Sequence, residues 1–174
     1  KHPANPVLVP EHPWEPPAPV LAYCLRDDHT GRFRLWYRSR TTYRGDGRTY
    51  DWPNLYAESG DGIHWERPQL GLYSWGGSKA NNLILPAGDL RGLIHEPQDE
   101  RAPWKAVWEH NSPARSPEWI AEEGCYLYTS PDGIRWDVAG EMIPYGPRPQ
   151  PGEVPSLPLS RLGDTGHVRW DPKL

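Results

Sequence analysis

The chain of 174 residues carries 23 Asp and Glu against 19 Lys and Arg, a formal net charge of −4 spread in short mixed groups. No basic patch marks a nucleic-acid site, and no stretch approaches the roughly 20 apolar residues of a membrane helix. Proline (22), glycine (17), tryptophan (10) and tyrosine (9) dominate, with one Phe and one Met. Pro and Gly break helix interiors and Trp and Tyr favour strands, so the composition points to an all-β protein. The many rings supply area to bury and argue against disorder.

The chain opens with a lead-in, residues 1–19. Its first residues, Lys1-His2-Pro3-Ala4-Asn5-Pro6, lack the apolar core of a secretory signal. A repeat with a period of about 71 residues then emerges. Ser59-Gly60-Asp61-Gly62-Ile63-His64-Trp65 returns as Ser130-Pro131-Asp132-Gly133-Ile134-Arg135-Trp136, a shared S-x-D-G-I-x-W. Arg34-Leu35-Trp36-Tyr37 likewise resembles Lys105-Ala106-Val107-Trp108, although their Trp residues lie about 72 apart.

Each repeat reads as four strands. The first repeat, 20–80, is predicted to place strands at 20–26, 32–39 and 54–59, with a fourth opening at 65–68. The second, 81–150, is predicted to place them near 91–96, 104–110, 124–130 and 136–143. Asp-Gly supplies the turn between the last two strands of each, because Gly accepts positive φ and Asp bonds locally to the backbone. One short helical turn is predicted at 116–123. Residues 151–174 read as a linker and the first strand of a third repeat.

Four antiparallel strands per repeat suggest a β-propeller blade, which must stack on neighbours to hide its faces. Two blades and a fraction leave open faces, so the natural ring is expected to be larger, with about five blades. The chain would then be an N-terminal piece that lacks the remaining blades. A β-sandwich is the alternative architecture.

The S-x-D-G-I-x-W turns are similar to those in five-bladed propellers of glycoside hydrolase families 43 and 32. So are the segments Asn5-Pro6-Val7-Leu8, Pro13-Trp14-Glu15, Tyr56-Ala57-Glu58-Ser59 and Gly163-Asp164-Thr165-Gly166-His167. The S-x-D-G-I-x-W turns also resemble the Asp-box of sialidases, which places one more residue between Asp and Gly. The resemblance implies a central funnel where inner strands present three carboxylates: a base or nucleophile, an acid, and a group that tunes the acid. Glycoside cleavage needs two carboxyl groups about 5 to 9.5 Å apart, and crowding raises the pKa of one of them. The implied partner is a carbohydrate, oligo- or polysaccharide, outside the cell or in the periplasm. Neither cofactor nor metal is implied. A non-catalytic glycan-binding or scaffolding propeller is the rival reading.

Against that resemblance, Asp61 and Asp132 read as turn acids, as do Asp28, Asp99 and Asp171. Asp164 has no acidic counterpart in the earlier repeats and is the catalytic candidate. Along one extended strand it would lie on the order of 23 Å from Asp171, too far for a catalytic pair. His167 is a candidate for a sugar hydroxyl. Where family 43 carries its first acid, this chain has Pro16-Pro17-Ala18-Pro19, and Glu15 is the nearest carboxylate. The family 32 Asn-Asp-Pro sequence is also missing. Trp14, Trp52, Trp75 and Trp119 sit in loop-like stretches where an indole can stack on a sugar or pack between blades. Trp75, Asn82 and Arg91 join Glu15 and His167 as candidate substrate-binding residues. Cys24 and Cys125 form no metal-binding spacing and are expected to be buried free thiols.

Overall fold

The computed structural model describes residues 3–15, 19–28, 30–39, 42–45, 48–110 and 123–144. The described residues contain ten strands and no helix. The chain divides into two compact units, Lys1–Gly88 and Asp89–Leu174.

The first unit is built on strands β1 (Val20–Arg26), β2 (Phe33–Arg38), β5 (Asn54–Ser59) and β6 (Leu83–Leu85). They form one antiparallel sheet in the order β1-β2-β5-β6. Between β2 and β5, strands β3 (Thr42–Gly45) and β4 (Arg48–Asp51) form a separate hairpin that the repeat did not foretell. The second unit holds β7 (Asp89–His95), β8 (Trp104–His110), β9 (Gly124–Ser130) and β10 (Asp137–Pro144). Its sheet runs β7-β8-β9-β10, again antiparallel. Consecutive pairing without crossovers makes each sheet a simple meander.

The pairing registers fix how the repeats correspond. Phe33 faces Ser59 in the first sheet and Trp104 faces Ser130 in the second, so Arg34 corresponds to Lys105 and Tyr37 to Trp108. Trp36 therefore corresponds to Val107, not to Trp108. Because side chains alternate across a strand, that one-residue offset puts the two indoles on opposite faces of their sheets. Trp36 meets its cross-strand partner Tyr56 edge-on, at 5.5 Å between ring centroids. Trp108 instead meets Tyr128 at 5.0 Å and Trp136 at 4.9 Å.

The S-x-D-G-I-x-W turns are the same structure twice. Ser59 Oγ accepts the Gly62 amide at 2.8 Å, and Asp61 Oδ1 accepts the Ile63 and His64 amides, both at 2.8 Å. Ser130 and Asp132 repeat these bonds to Gly133, Ile134 and Arg135 at the same 2.8 Å. Gly62 and Gly133 take φ of 75° and 76°, the left-handed region that glycine enters without steric cost. These backbone amides hold the carboxyl of Asp61 well below the usual carboxylate range. Both aspartates are thus turn acceptors. In the turn after β1, Asp27 rather than Asp28 accepts the Thr30 amide, at 2.9 Å. By register its counterpart in the second unit is Glu96; in that turn it is Asp99, three residues further on, that accepts the Ala102 amide, at 3.1 Å.

The units differ in their fourth strand. In the second it is the continuous β10, bent by two bulges. In the first, Glu66 starts the strand by exchanging both backbone hydrogen bonds with Glu58. The chain then leaves the sheet and returns as β6. The fourth strand does open near 65–68, as the repeat predicts, but the segment 67–82 interrupts it. A core of Leu35, Tyr37, Leu55, Ala57 and Leu83 lies on one face of this sheet, with Leu8, Trp14, Trp65, Tyr73 and Trp75 packed against it. The lead-in and the 67–82 excursion thus cover that face.

Both cysteines are free, and Cys125 is buried as expected. Cys24 is exposed, which corrects that expectation. It sits on β1, an edge strand. The predicted turn at 116–123 lies almost wholly outside the described residues, as do Trp119, Asp164, His167 and Asp171.

Candidate functional site

Glu15 is fully buried, and each of its carboxylate oxygens accepts two hydrogen bonds. Oε1 receives the Tyr37 hydroxyl at 2.6 Å and Arg67 Nε at 2.7 Å. Oε2 receives the backbone amides of Glu11 at 2.7 Å and His12 at 3.0 Å. Burial alone would raise the pKa of this carboxyl. The bonds from Tyr37, the Glu11 amide and Arg67 outweigh burial and hold it below its ordinary value. Burial, then the neighbouring carboxylate, pushes the Tyr37 phenol far above its usual range.

Arg67 begins the excursion from the fourth strand, and its side chain is only 4% exposed. It donates to Glu11 Oε2 at 2.9 Å and to the Val9 carbonyl at 2.7 Å. The guanidinium therefore ties three points of the lead-in to the sheet. At the far end of the excursion, buried Asn82 gives its amide nitrogen to the Tyr37 oxygen at 2.8 Å and to the Tyr56 carbonyl at 2.7 Å. Its amide oxygen accepts Trp14 Nε1 at 2.8 Å. Asn81 folds the loop itself, donating to the Tyr73 carbonyl at 2.8 Å and accepting the Leu83 amide at 3.0 Å.

This polar network fixes a row of rings above it. His12 stacks on Trp14 at 4.6 Å between centroids, and Trp14 meets Trp75 edge-on at 6.3 Å. All three rings are half-buried. Trp75 stands at the foot of a tight turn in which its amide and carbonyl bond Ser78, at 2.8 and 3.0 Å. Gly76 and Gly77 take φ of 57° and 85°, the pair of positive values a two-residue type I′ turn requires. The result is an aromatic ledge on a rigid base. Glu15, Trp75 and Asn82 all belong to it, joined through Trp14 and Tyr37.

Arg91 belongs to the second unit. Its Nε donates to Glu109 Oε2 at 2.5 Å, and its terminal nitrogen pairs with Glu109 and, at 3.3 Å, with Asp89. Asp89 and Glu109 are cross-strand neighbours, so one guanidinium bridges two carboxylates on one face. Next along β8, buried His110 bonds the Tyr128 hydroxyl through Nε2 at 2.9 Å. Its Nδ1 is buried and has no hydrogen-bond partner among the described residues. Burial lowers the pKa of this imidazole to about 4, so it is neutral at pH 7.

No protein family, curated protein or solved structure matches this chain.

Of the candidates from the sequence, the structure thus unites three in the first unit and pairs Arg91 with two acids in the second. Sequence reading missed His12, Tyr37, Arg67, Asp89, Glu109 and His110. Comparing the repeats would have exposed two of these. By register Glu109 and His110 correspond to Arg38 and Ser39, so the meander requires neither. Tyr37 and Arg67 had no such signal, because their partner Glu15 lies in the lead-in, outside the repeat. Among the described residues, no three of His, Cys, Asp and Glu gather closely enough to hold a metal ion.

Proposed function

We propose that the two meanders are blades of a β-propeller of glycoside hydrolase type, which acts on glycosidic bonds of an oligo- or polysaccharide. The aromatic ledge His12–Trp14–Trp75 carries this reading. An indole offers an apolar face to the C–H face of a sugar ring, and a ledge held by buried hydrogen bonds spends little ordering entropy on binding. The repeated turns and equal registers support the blade assignment. In this scheme Asp164 supplies one funnel carboxylate. Asp89, which has no acidic counterpart in the first sheet, is a further acidic group for the same chemistry.

One observation favours the second reading, a propeller that binds glycan without cleaving it. Glu15, the carboxylate that ties the base of the ledge together, is sealed from solvent and already accepts four hydrogen bonds. It can anchor the ledge but cannot reach a glycosidic oxygen.

The test is to incubate the full-length protein with aryl glycosides and with plant and microbial polysaccharides, following reducing-sugar release, and to measure binding to the same polymers by affinity electrophoresis. Hydrolysis that disappears in Asp164→Asn supports the enzyme. Retardation without hydrolysis supports the binder. Neither retardation nor hydrolysis on any polymer overturns the carbohydrate reading.

A further inference from the structure

Among the described residues Trp52 is the single non-glycine residue with positive φ, at 64°. A bulky side chain in the left-handed region is strained relative to an ordinary conformation. A folded chain keeps such a residue only where surrounding contacts hold it. Here Pro53 accepts the Ser39 amide at 3.1 Å, and Asn54 Nδ2 donates to the Gly88 carbonyl at 2.9 Å. The backbone on the C-terminal side of Trp52 is therefore pinned to the end of the sheet.

Strain in a core residue is repaid by packing. Trp52 forgoes much of that return, since it is 39% exposed while Trp36 and Trp108 are 0% exposed. One contact of its ring is the Arg38 guanidinium, 4.6 Å from the ring centroid. Nor does the meander demand an indole there, because the residue one repeat later is Glu123. Trp52 thus combines a strained backbone, an exposed apolar ring and a cation that fixes the ring plane. These features suit recognition better than folding.

We propose that Trp52 and Arg38 form a second saccharide subsite, distinct in its residues from the ledge, at which the indole stacks on the C–H face of a pyranose ring. Arg38 orients the ring from one side. This inference rests on the carbohydrate reading of the ledge and adds a contact which that reading does not require.

The experiment follows the indole N–H signals of the full-length protein by NMR while adding hexasaccharides of β-1,4-linked glucose, xylose or mannose. Trp52→Gly assigns its own signal by deletion. Glycine accepts the backbone angle, so this variant is expected to remain folded. The inference expects the Trp52 signal to move with at least one hexasaccharide. It also expects Trp52→Gly to weaken that binding by about tenfold, with Trp52→Tyr retaining most of it. Shifts at Trp14 and Trp75 with none at Trp52, and unchanged affinity in Trp52→Gly, would overturn the second subsite and leave the ledge standing. No shift at any indole would overturn both.

Discussion

Replacing Glu15 with Gln removes one negative charge and almost no volume. In the protein, both carboxylate oxygens face only donors: the Tyr37 hydroxyl, Arg67 Nε and two backbone amides. Whichever way the new amide turns, its NH2 group confronts donors. The Arg67 side chain, 4% exposed, keeps only the 56% exposed Glu11 as an ionic partner among the described residues. Breaking a buried ion pair from one side costs about 3 to 5 kcal/mol, a large share of a domain's stability. The assay is urea unfolding followed by Trp fluorescence at pH 7. Tyr37→Phe removes one of the four donors and should cost about 1 to 3 kcal/mol. The double variant should cost less than the two singles together, because both delete the same hydrogen bond. The network also has an acid signature. The pKa of Glu15 is lower in the folded than in the unfolded chain, so its stabilisation is complete above the unfolded value near 4.3 and fades as pH falls through the folded value. That component of acid destabilisation should vanish in Glu15→Gln. A Glu15→Gln protein within about 0.5 kcal/mol of the parent would show that the lead-in is not held this way.

Three further outcomes are expected. His110, buried with a pKa near 4, stays neutral while an unfolded histidine titrates near 6.5. The unfolded state then binds the extra proton, so stability should be flat above pH 6.5 and fall by roughly 3 kcal/mol between 6.5 and 4, a slope absent from His110→Asn in pH-dependent urea melts. Gly62→Ala and Gly133→Ala place a side chain at φ of 75° and 76°, and each should cost about 1 to 2 kcal/mol in thermal unfolding. Asn82→Ala strands the Trp14 indole N–H and the Tyr37 and Tyr56 oxygens, so it should lose about 2 to 3 kcal/mol in urea unfolding and weaken any glycan retardation as the ledge loosens.

The repeated motif made much of the fold legible. Asp-Gly followed by Trp is a turn signal with a local mechanism, and the strands at 20–26, 54–59, 104–110 and 124–130 match the structure. The Trp spacing misled because rings conserve volume rather than register. Tyr37 and Trp108 fill the same place, so the motif count and the indole count differ by one residue. The β3–β4 hairpin and the excursion 67–82 break the repeat and left no periodic trace. The ledge is half visible in the sequence: Trp75 and Asn82 stand out beside Gly76-Gly77 and in the pair Asn81-Asn82, and Glu15 through the resemblance. Their joining could not be read, since it rests on Tyr37 and Arg67, whose partners lie far away in sequence. Comparing non-matching positions of the two repeats is the sequence signal that would have singled out Glu109 and His110.

A crystal structure of the complete protein decides whether these sheets are blades. The propeller reading predicts β1 and β7 side by side as inner strands around one axis, with further four-stranded meanders completing the ring. Two sheets packed face to face across a shared core, as in a sandwich, would contradict it.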